Sequence, residues 1–358
     1  MSLRQIVSIF TMALMLLFGL GAAALSSQHD NPATQQAAPA APGLSGPPPY
    51  WAFAIDPPEN DSAPADARAA ADTEKASQSP QRVLGGTATF TLAQIDDLFT
   101  PPDWHPEAHP PMPEIVARGR KPEVYACGYC HLPNGQGRPE NSSLAGLPAA
   151  YIVRQMSDFK GGARKSSAPD DVPVALMISH ETQAADAEIQ AAADYFSRLK
   201  PQRWIRVVET ATVPKTYVAG WMLVASEPMT AGPTATEPIG SRIIEMPENL
   251  GRTELRDDTS GFVAYVPPGS IAKGKSLATT GGDGLTVPCA ACHGPGLRGK
   301  NNVPSIAGRS PSYVVRQLWD IQHGARAGTG AQLMQPAVAK LKLDDMIALA
   351  AYTSSLQP

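Results

Sequence analysis

The sequence predicts an all-α protein of two tandem helical units, with a Pro-rich N-terminal extension before them and a small irregular β-containing connector between them. Three observations predict it. The string CGYCH (127–131) recurs as CAACH (289–293), and the same offset of 162 superposes YIVRQMSDFKGGAR (151–164) on YVVRQLWDIQHGAR (313–326) without a gap. Both copies place apolar residues at helical spacing, over 152–159 and 314–321, and each run stops before glycines that suit helix C-caps: Gly161 and Gly162 in one, Gly324 in the other. Prolines, 36 in 358 residues against a usual ~5%, gather in the tail and connectors, since proline is barred from helix interiors.

The elements follow in order. Residues 1–24 carry Arg4, an uncharged run from Ile6 to Leu20 and then Ala22-Ala23-Ala24, the pattern of a cleaved export signal. The competing reading is an uncleaved membrane anchor over residues 6–25, which is just long enough to span. Either way the bulk of the chain is exported to the periplasm, soluble or anchored N-terminally to the inner membrane. Residues 25–112 form a Pro/Ala-rich linker and extension, with 26–82 too poor in apolar surface to offset its ordering entropy. Inside it, Tyr50, Trp51 and Phe53 make an aromatic island, expected to lie over its own domain rather than to dock a partner. His105 and His109 have the spacing of a helical metal pair, but Pro106, Pro110 and Pro111 forbid that helix, so both are expected at the surface.

The first repeated unit covers 113–200 and the second 269–358. Their last helices are expected to begin at Asp186 and Asp344 acting as N-caps. Between the units, 204–208, 217–224, 241–246 and 262–266 are rich in β-branched and aromatic residues and read as short strands of a connector over 201–268.

All four cysteines fall in the two CxxCH strings. Cys-x-x-Cys-His attaches haem c: two thiols three residues apart reach the porphyrin vinyl groups, and the adjoining histidine sits under the iron. The string therefore assigns Cys127, Cys130, Cys289 and Cys292 to covalent haem attachment and His131 and His293 to iron. A zinc site shared by all four thiolates would leave both histidines without a reason, and a thioredoxin-like pair lacks its βαβ setting. Each unit also supplies a methionine at an equivalent place, Met177, 46 residues after His131, and Met334, 41 after His293, the difference being a five-residue excess in the first copy. A thioether at the sixth position would raise the potential and leave no open site for substrate. His180 competes with Met177, and its repeat partner is Ala337. Arg164 and Arg326, at equivalent positions, are candidates for pairing with haem propionates or are solvated helix-end charges. A net charge of −4 without a basic block speaks against nucleic acid.

With these strings, the shared [LI]AG and Tyr-x-x-x-Gln patterns and the terminal helix, residues 113–200 and 269–358 resemble class I c-type cytochromes, dihaem cytochrome c4-like in particular. The resemblance implies two class I domains with crossing N- and C-terminal helices and two covalently bound haem c groups. It also implies axial ligation by His131 and Met177 and by His293 and Met334, with the Pro304 carbonyl, or that of Ser142 in the first unit, holding the proximal ring. The expected function is single-electron transfer between redox protein partners, a membrane oxidase or dehydrogenase among them. The alternatives are a cytochrome subunit of a larger membrane oxidoreductase and a dihaem peroxidase-like or sulfur-compound oxidoreductase enzyme.

Overall fold

The computed structural model describes residues 46–55, 78–227 and 235–358. The export signal or anchor expected over 1–24, and residues 25–45 and 56–77 of the expected linker, lie outside the described residues. Among the described residues, no helix is long and apolar enough to cross a membrane.

The described chain enters through α1 (Tyr50–Phe53), whose Trp51 and Phe53 are buried in the core of the second unit, with Arg316 Nη1 donating to the Ala52 carbonyl at 2.6 Å. The aromatic island thus lies over its own protein, as expected, and part of the stretch read as solvated linker is packed. The next segment pairs β1 (Pro80–Gln81) with β2 (Phe90–Thr91) and adds the single turn α2 (Leu92–Ile95). Trp104 anchors it: the indole is fully buried, meets Phe90 edge-on at 4.8 Å and donates Nε1–H to the Leu255 carbonyl at 2.8 Å. That packing carries its neighbours inward. The His105 side chain is 9% exposed and that of His109 3%, which corrects the expectation of surface histidines. Their local sequence is that of a loop; the cover comes from residues far along the chain, Leu255 standing 151 positions from Trp104.

In the first unit, α3 (Glu114–Ala117) is followed by α4 (Cys127–His131), α5 (Ala149–Lys160), α6 (Val172–Gln183) and α7 (Asp186–Arg198). Buried Ile152, Gln155 and Phe159 form one stripe of α5, and Ile189, Ala192, Ala193 and Phe196 one stripe of α7, as 3.6-residue periodicity requires. The N-terminal helix is a single turn here because Pro110, Pro111 and Pro113 stand before it and Gly119 (φ +60°) stops the chain soon after it.

The connector is more regular than expected. Strand β3 (Ile205–Glu209) leads into β4 (Thr212–Pro214) and the hairpin of β5 (Thr216–Ala219) and β6 (Met222–Ala225). The stretch 217–224 therefore folds back on itself at Gly220-Trp221, both at positive φ as a two-residue hairpin turn demands. Then come β7 (Thr236–Pro238), β8 (Ile244–Pro247), α8 (Leu250–Glu254) and β9 (Phe262–Val266). Strand β9 is central, parallel to β3 and antiparallel to β8.

The second unit contains α9 (Ser270–Thr280), α10 (Ala290–His293), α11 (Pro311–Gln322), α12 (Thr329–Gln332), α13 (Gln335–Val338) and α14 (Leu343–Ser355). Here the crossing helices are complete, α9 passing against α14. Neither Asp186 nor Asp344 caps its helix. The acid at the third helical position does so instead, Glu188 accepting from the Ala185 amide at 2.8 Å and Asp345 from the Lys342 amide at 2.9 Å.

An all-α description holds for the two repeated units and not for the whole chain. Ile244, Phe262, Ala264 and Val266 of the connector share one apolar core with Val315, Met346 and Ile347 of the second unit. Glu245 on β8 fastens them together: buried, it accepts from Ser310 Oγ at 2.7 Å and from the hydroxyl and amide of Ser312 at the start of α11. Glu245→Ala is expected to cost about 1–3 kcal/mol in urea unfolding, because both serines lose their acceptor in a dry site, and Glu245→Gln less than half of that.

Candidate functional site

Helix α4 is little more than one turn long, which places Cys127, Cys130 and His131 together on one wall of an apolar cavity. Ile152 and Phe159 of α5, Ile189 and Phe196 of α7, and Met177 and His180 of α6 line the rest. The space, open mouth included, is about 940 Å³.

His131 is buried, and its Nδ1 lies 2.8 Å from the Ser142 carbonyl. A carbonyl can only accept, so Nδ1 carries the proton and Nε2 keeps a free lone pair. Burial pushes the imidazole down to about 4, although the Ser142 carbonyl opposes the shift, so the ring stays neutral at physiological pH. The second unit repeats this arrangement: His293 Nδ1 lies 2.8 Å from the Pro304 carbonyl, and burial lowers that ring as well. Since 142 and 304 differ by the repeat offset, a backbone carbonyl at one equivalent position is the acceptor in both units, whatever its side chain.

Burial pushes the Cys127 thiol up to about 12 and that of Cys289 up to about 11, and it raises Cys130 too. Cys292 is exposed. The three raised thiols are neutral against apolar walls, suited to thioether formation and unlike the depressed thiols of a redox pair. Among the described residues, the four sulfurs do not gather into one cluster.

The two methionines sit differently. Met177 is in the middle of the twelve-residue α6. Met334 lies at the break between α12 and α13, where Gln335-Pro336 starts a new turn, and packs partly buried against the second core. One helical turn after Met177, His180 lines the same cavity. Its Nδ1 is 3.3 Å from the Glu123 carbonyl, its ring lies against Tyr125 at 4.5 Å, and its Nε2 is buried with no hydrogen-bond partner. The structure thus brings the thioether and the competing imidazole to one wall.

Arg164 and Arg326 meet each other across the two units. Arg164 donates to Gln155 of its own unit and to Tyr313 and Gln317 of the other, while Arg326 donates to Gln317 of its own and to Tyr151 and Gln155 of the other. Their backbones form an antiparallel bridge, closed by Lys165 N–H to the Ala325 carbonyl and Ala327 N–H to the Ala163 carbonyl, each at 2.7 Å. The contacts are reciprocal under the repeat offset, so the units pack about a pseudo-two-fold. Every hydrogen-bond partner of these guanidinium groups is neutral. Burial raises Tyr313, but Arg164 and Arg326 beside it outweigh burial and hold its phenol below the ordinary value. Tyr313 and Arg164 also line the first cavity, so the interface borders the site. For Tyr151, Gln155, Tyr313 and Gln317 the sequence carries no sign of an interface role beyond their identity in both copies.

No family model matches the chain. It is 27% identical over 238 residues to cytochrome c4 of Azotobacter vinelandii, covering 64% of this chain and 84% of that one. It is 26% identical over 225 residues to the thiosulfate dehydrogenase electron acceptor of Thiomonas intermedia, covering 62% and 73%. A shorter match, 35% identical over 68 residues, covers 19% of this chain and 82% of cytochrome c-554(548) of Halomonas halodenitrificans.

Proposed function

The chain belongs to the dihaem class I c-type cytochromes of the cytochrome c4 kind, and from that premise we propose how its residues carry single electrons between redox protein partners. It carries two covalently bound haem c groups, which would supply reversible one-electron ferric–ferrous chemistry. Cys127 and Cys130 attach the first through thioethers, Cys289 and Cys292 the second. His131 and His293 offer the free Nε2 lone pair that their carbonyl-bound tautomer leaves, and the same hydrogen bond keeps each ring from rotating away. Met177 and Met334 would offer each iron a soft thioether, which would favour the ferrous state and raise the potential. Arg164 and Arg326, cations hydrogen-bonded only to neutral protein groups, would be the residues to balance propionate charge.

The observation that carries this reading is the duplicated geometry of a buried neutral histidine fixed at Nδ1 beside a CxxC pair, once in each unit. We place the protein in the periplasm; membrane fractionation reads whether residues 6–25 also tether it. A second reading, the electron-accepting subunit of a sulfur-compound dehydrogenase, is favoured by the relative that bears such a name. A peroxidase-like enzyme requires a sixth position open to substrate, and here both units supply a methionine at the equivalent place.

Redox titration of the intact protein with absorption and electron paramagnetic resonance is expected to resolve two low-spin haems of fairly high potential. A high-spin haem that binds cyanide or peroxide readily would overturn the carrier reading. In the same titration, Arg164→Gln is expected to lower the first potential by about 20–60 mV, since removing a nearby positive charge favours the ferric state and 59 mV corresponds to one tenfold change for one electron.

A further inference from the structure

Outside the haem sites, three chemistry-bearing side chains from two distant segments converge in the interior: His105 of the N-terminal extension, and Asp257 and Asp258 of the loop between α8 and β9. All three are buried, with 7%, 1% and 1% of their surfaces exposed. His105 Nε2 lies 3.5 Å from Asp257 Oδ1 and 3.8 Å from Asp258 Oδ1, and the three ligand atoms all fall within 4.8 Å of one another. We propose that His105 Nε2, Asp257 Oδ1 and Asp258 Oδ1 bind one divalent cation of borderline softness, zinc being the best match to the donor set, and so clamp the extension to the connector.

Two independent features lead there. His105 Nε2 and Asp258 Oδ1 are both buried with no hydrogen-bond partner, an expensive arrangement unless something sits between them. A direct imidazolium–carboxylate pair would close to hydrogen-bond length, yet neither separation does. Ligands about 2.0–2.2 Å from one cation stand roughly 3–3.6 Å apart in a tetrahedral shell, close to the separations seen. The second feature is the outer support. Asp257 is held on its far oxygen, Oδ2, by Arg252 at 2.7 Å, the kind of hydrogen bonding that orients a metal-binding carboxylate, while the Thr259 amide and hydroxyl donate to Oδ1, the oxygen that would turn to the cation. One imidazole with two carboxylates suits zinc better than calcium or magnesium, which prefer oxygen alone.

The clamp would reach the first haem unit. Asn134 and Gln136, just after the first CxxCH, donate to the Asp258 and Ser260 carbonyls, and Arg256 donates to the Tyr129 carbonyl within that motif.

The test uses the full haem-loaded protein, stripped with a chelator and titrated with Zn2+. One equivalent of zinc per chain is expected, counted separately from haem iron by elemental analysis. The chelator should lower Tm, and zinc should restore it. His105→Gln and Asp258→Asn should each weaken zinc binding by at least about tenfold and remove the Tm response while keeping both haem spectra. Zn-edge X-ray absorption on the wild type serves if a variant fails to fold, and should show nitrogen and oxygen neighbours only. No stoichiometric uptake, variants that bind like the wild type, or sulfur in the zinc shell would each overturn the proposal.

Discussion

Met177→Ala is expected to remove the thioether from the first haem and shift that haem alone, leaving the second as an internal reference. The potential of the first should fall by a sizeable fraction of the ~0.8 V that axial ligation spans in haem proteins, because a harder donor or an open position favours the ferric state. His180 stands one turn away on the same cavity wall with its Nε2 unpartnered, so it is placed to take over. Met177→Ala should therefore remain largely low-spin at the lower potential, and Met177→Ala with His180→Ala should become high-spin and bind cyanide. His180→Ala alone should leave the spectrum unchanged. If Met177→Ala changes nothing and His180→Ala removes the low-spin signal, the sixth ligand is His180. The sulfur-to-iron charge-transfer band and the redox titration read these outcomes directly.

Gly274→Ala is expected to be the most destabilising single-methyl change in the second unit. At the crossing of α9 and α14 a Cβ at this position would run into the Ala348 carbonyl oxygen, with the Tyr352 Cβ only 2.8 Å away. Backbone cannot step aside as a side chain can, so the two helices must separate. The loss is put at about 2–3 kcal/mol, even after the ~1 kcal/mol that alanine contributes over glycine in a helix. Gly330→Ala in α12 is the control, since a Cβ there meets nothing within 4 Å. It should be neutral or slightly stabilising. Urea unfolding followed at the haem absorption separates the two signs, and equal effects would show that the crossing is looser than the geometry implies.

Much of the site is legible in the sequence because its signals are local. CxxCH is a spacing within one helical turn, and the repeat offset carries every equivalence from the cysteines to the arginines. The strand at 262–266 and the helices around 152–159 and 314–321 declare themselves by periodicity for the same reason. The caps of α7 and α14 are harder to place, since an acid at the third helical position can reach back to the N-cap amide and displace an earlier aspartate from that role. The shortened helix before the first CxxCH is foreshadowed by Pro110, Pro111 and Pro113.

Burial is not legible, because it depends on what lies across the fold. His105 and His109 sit in a Pro-rich loop by sequence, yet the indole of Trp104 under the Leu255 carbonyl draws that loop into the interior. The connector reads as a spacer and in the fold shares its apolar core with the second unit through β8 and β9.

By itself the sequence determined how many haems the protein carries and that it contains two copies of one unit, since both are written in spacings along one chain. Only the tertiary structure decided that Arg164 and Arg326 face each other across a pseudo-two-fold among neutral hydrogen-bond partners. It alone decided that Glu245 ties the connector to the second unit, and that a histidine and two aspartates from distant segments close on one point. Contacts of that kind arise from packing between residues far apart in the chain, which no local pattern encodes.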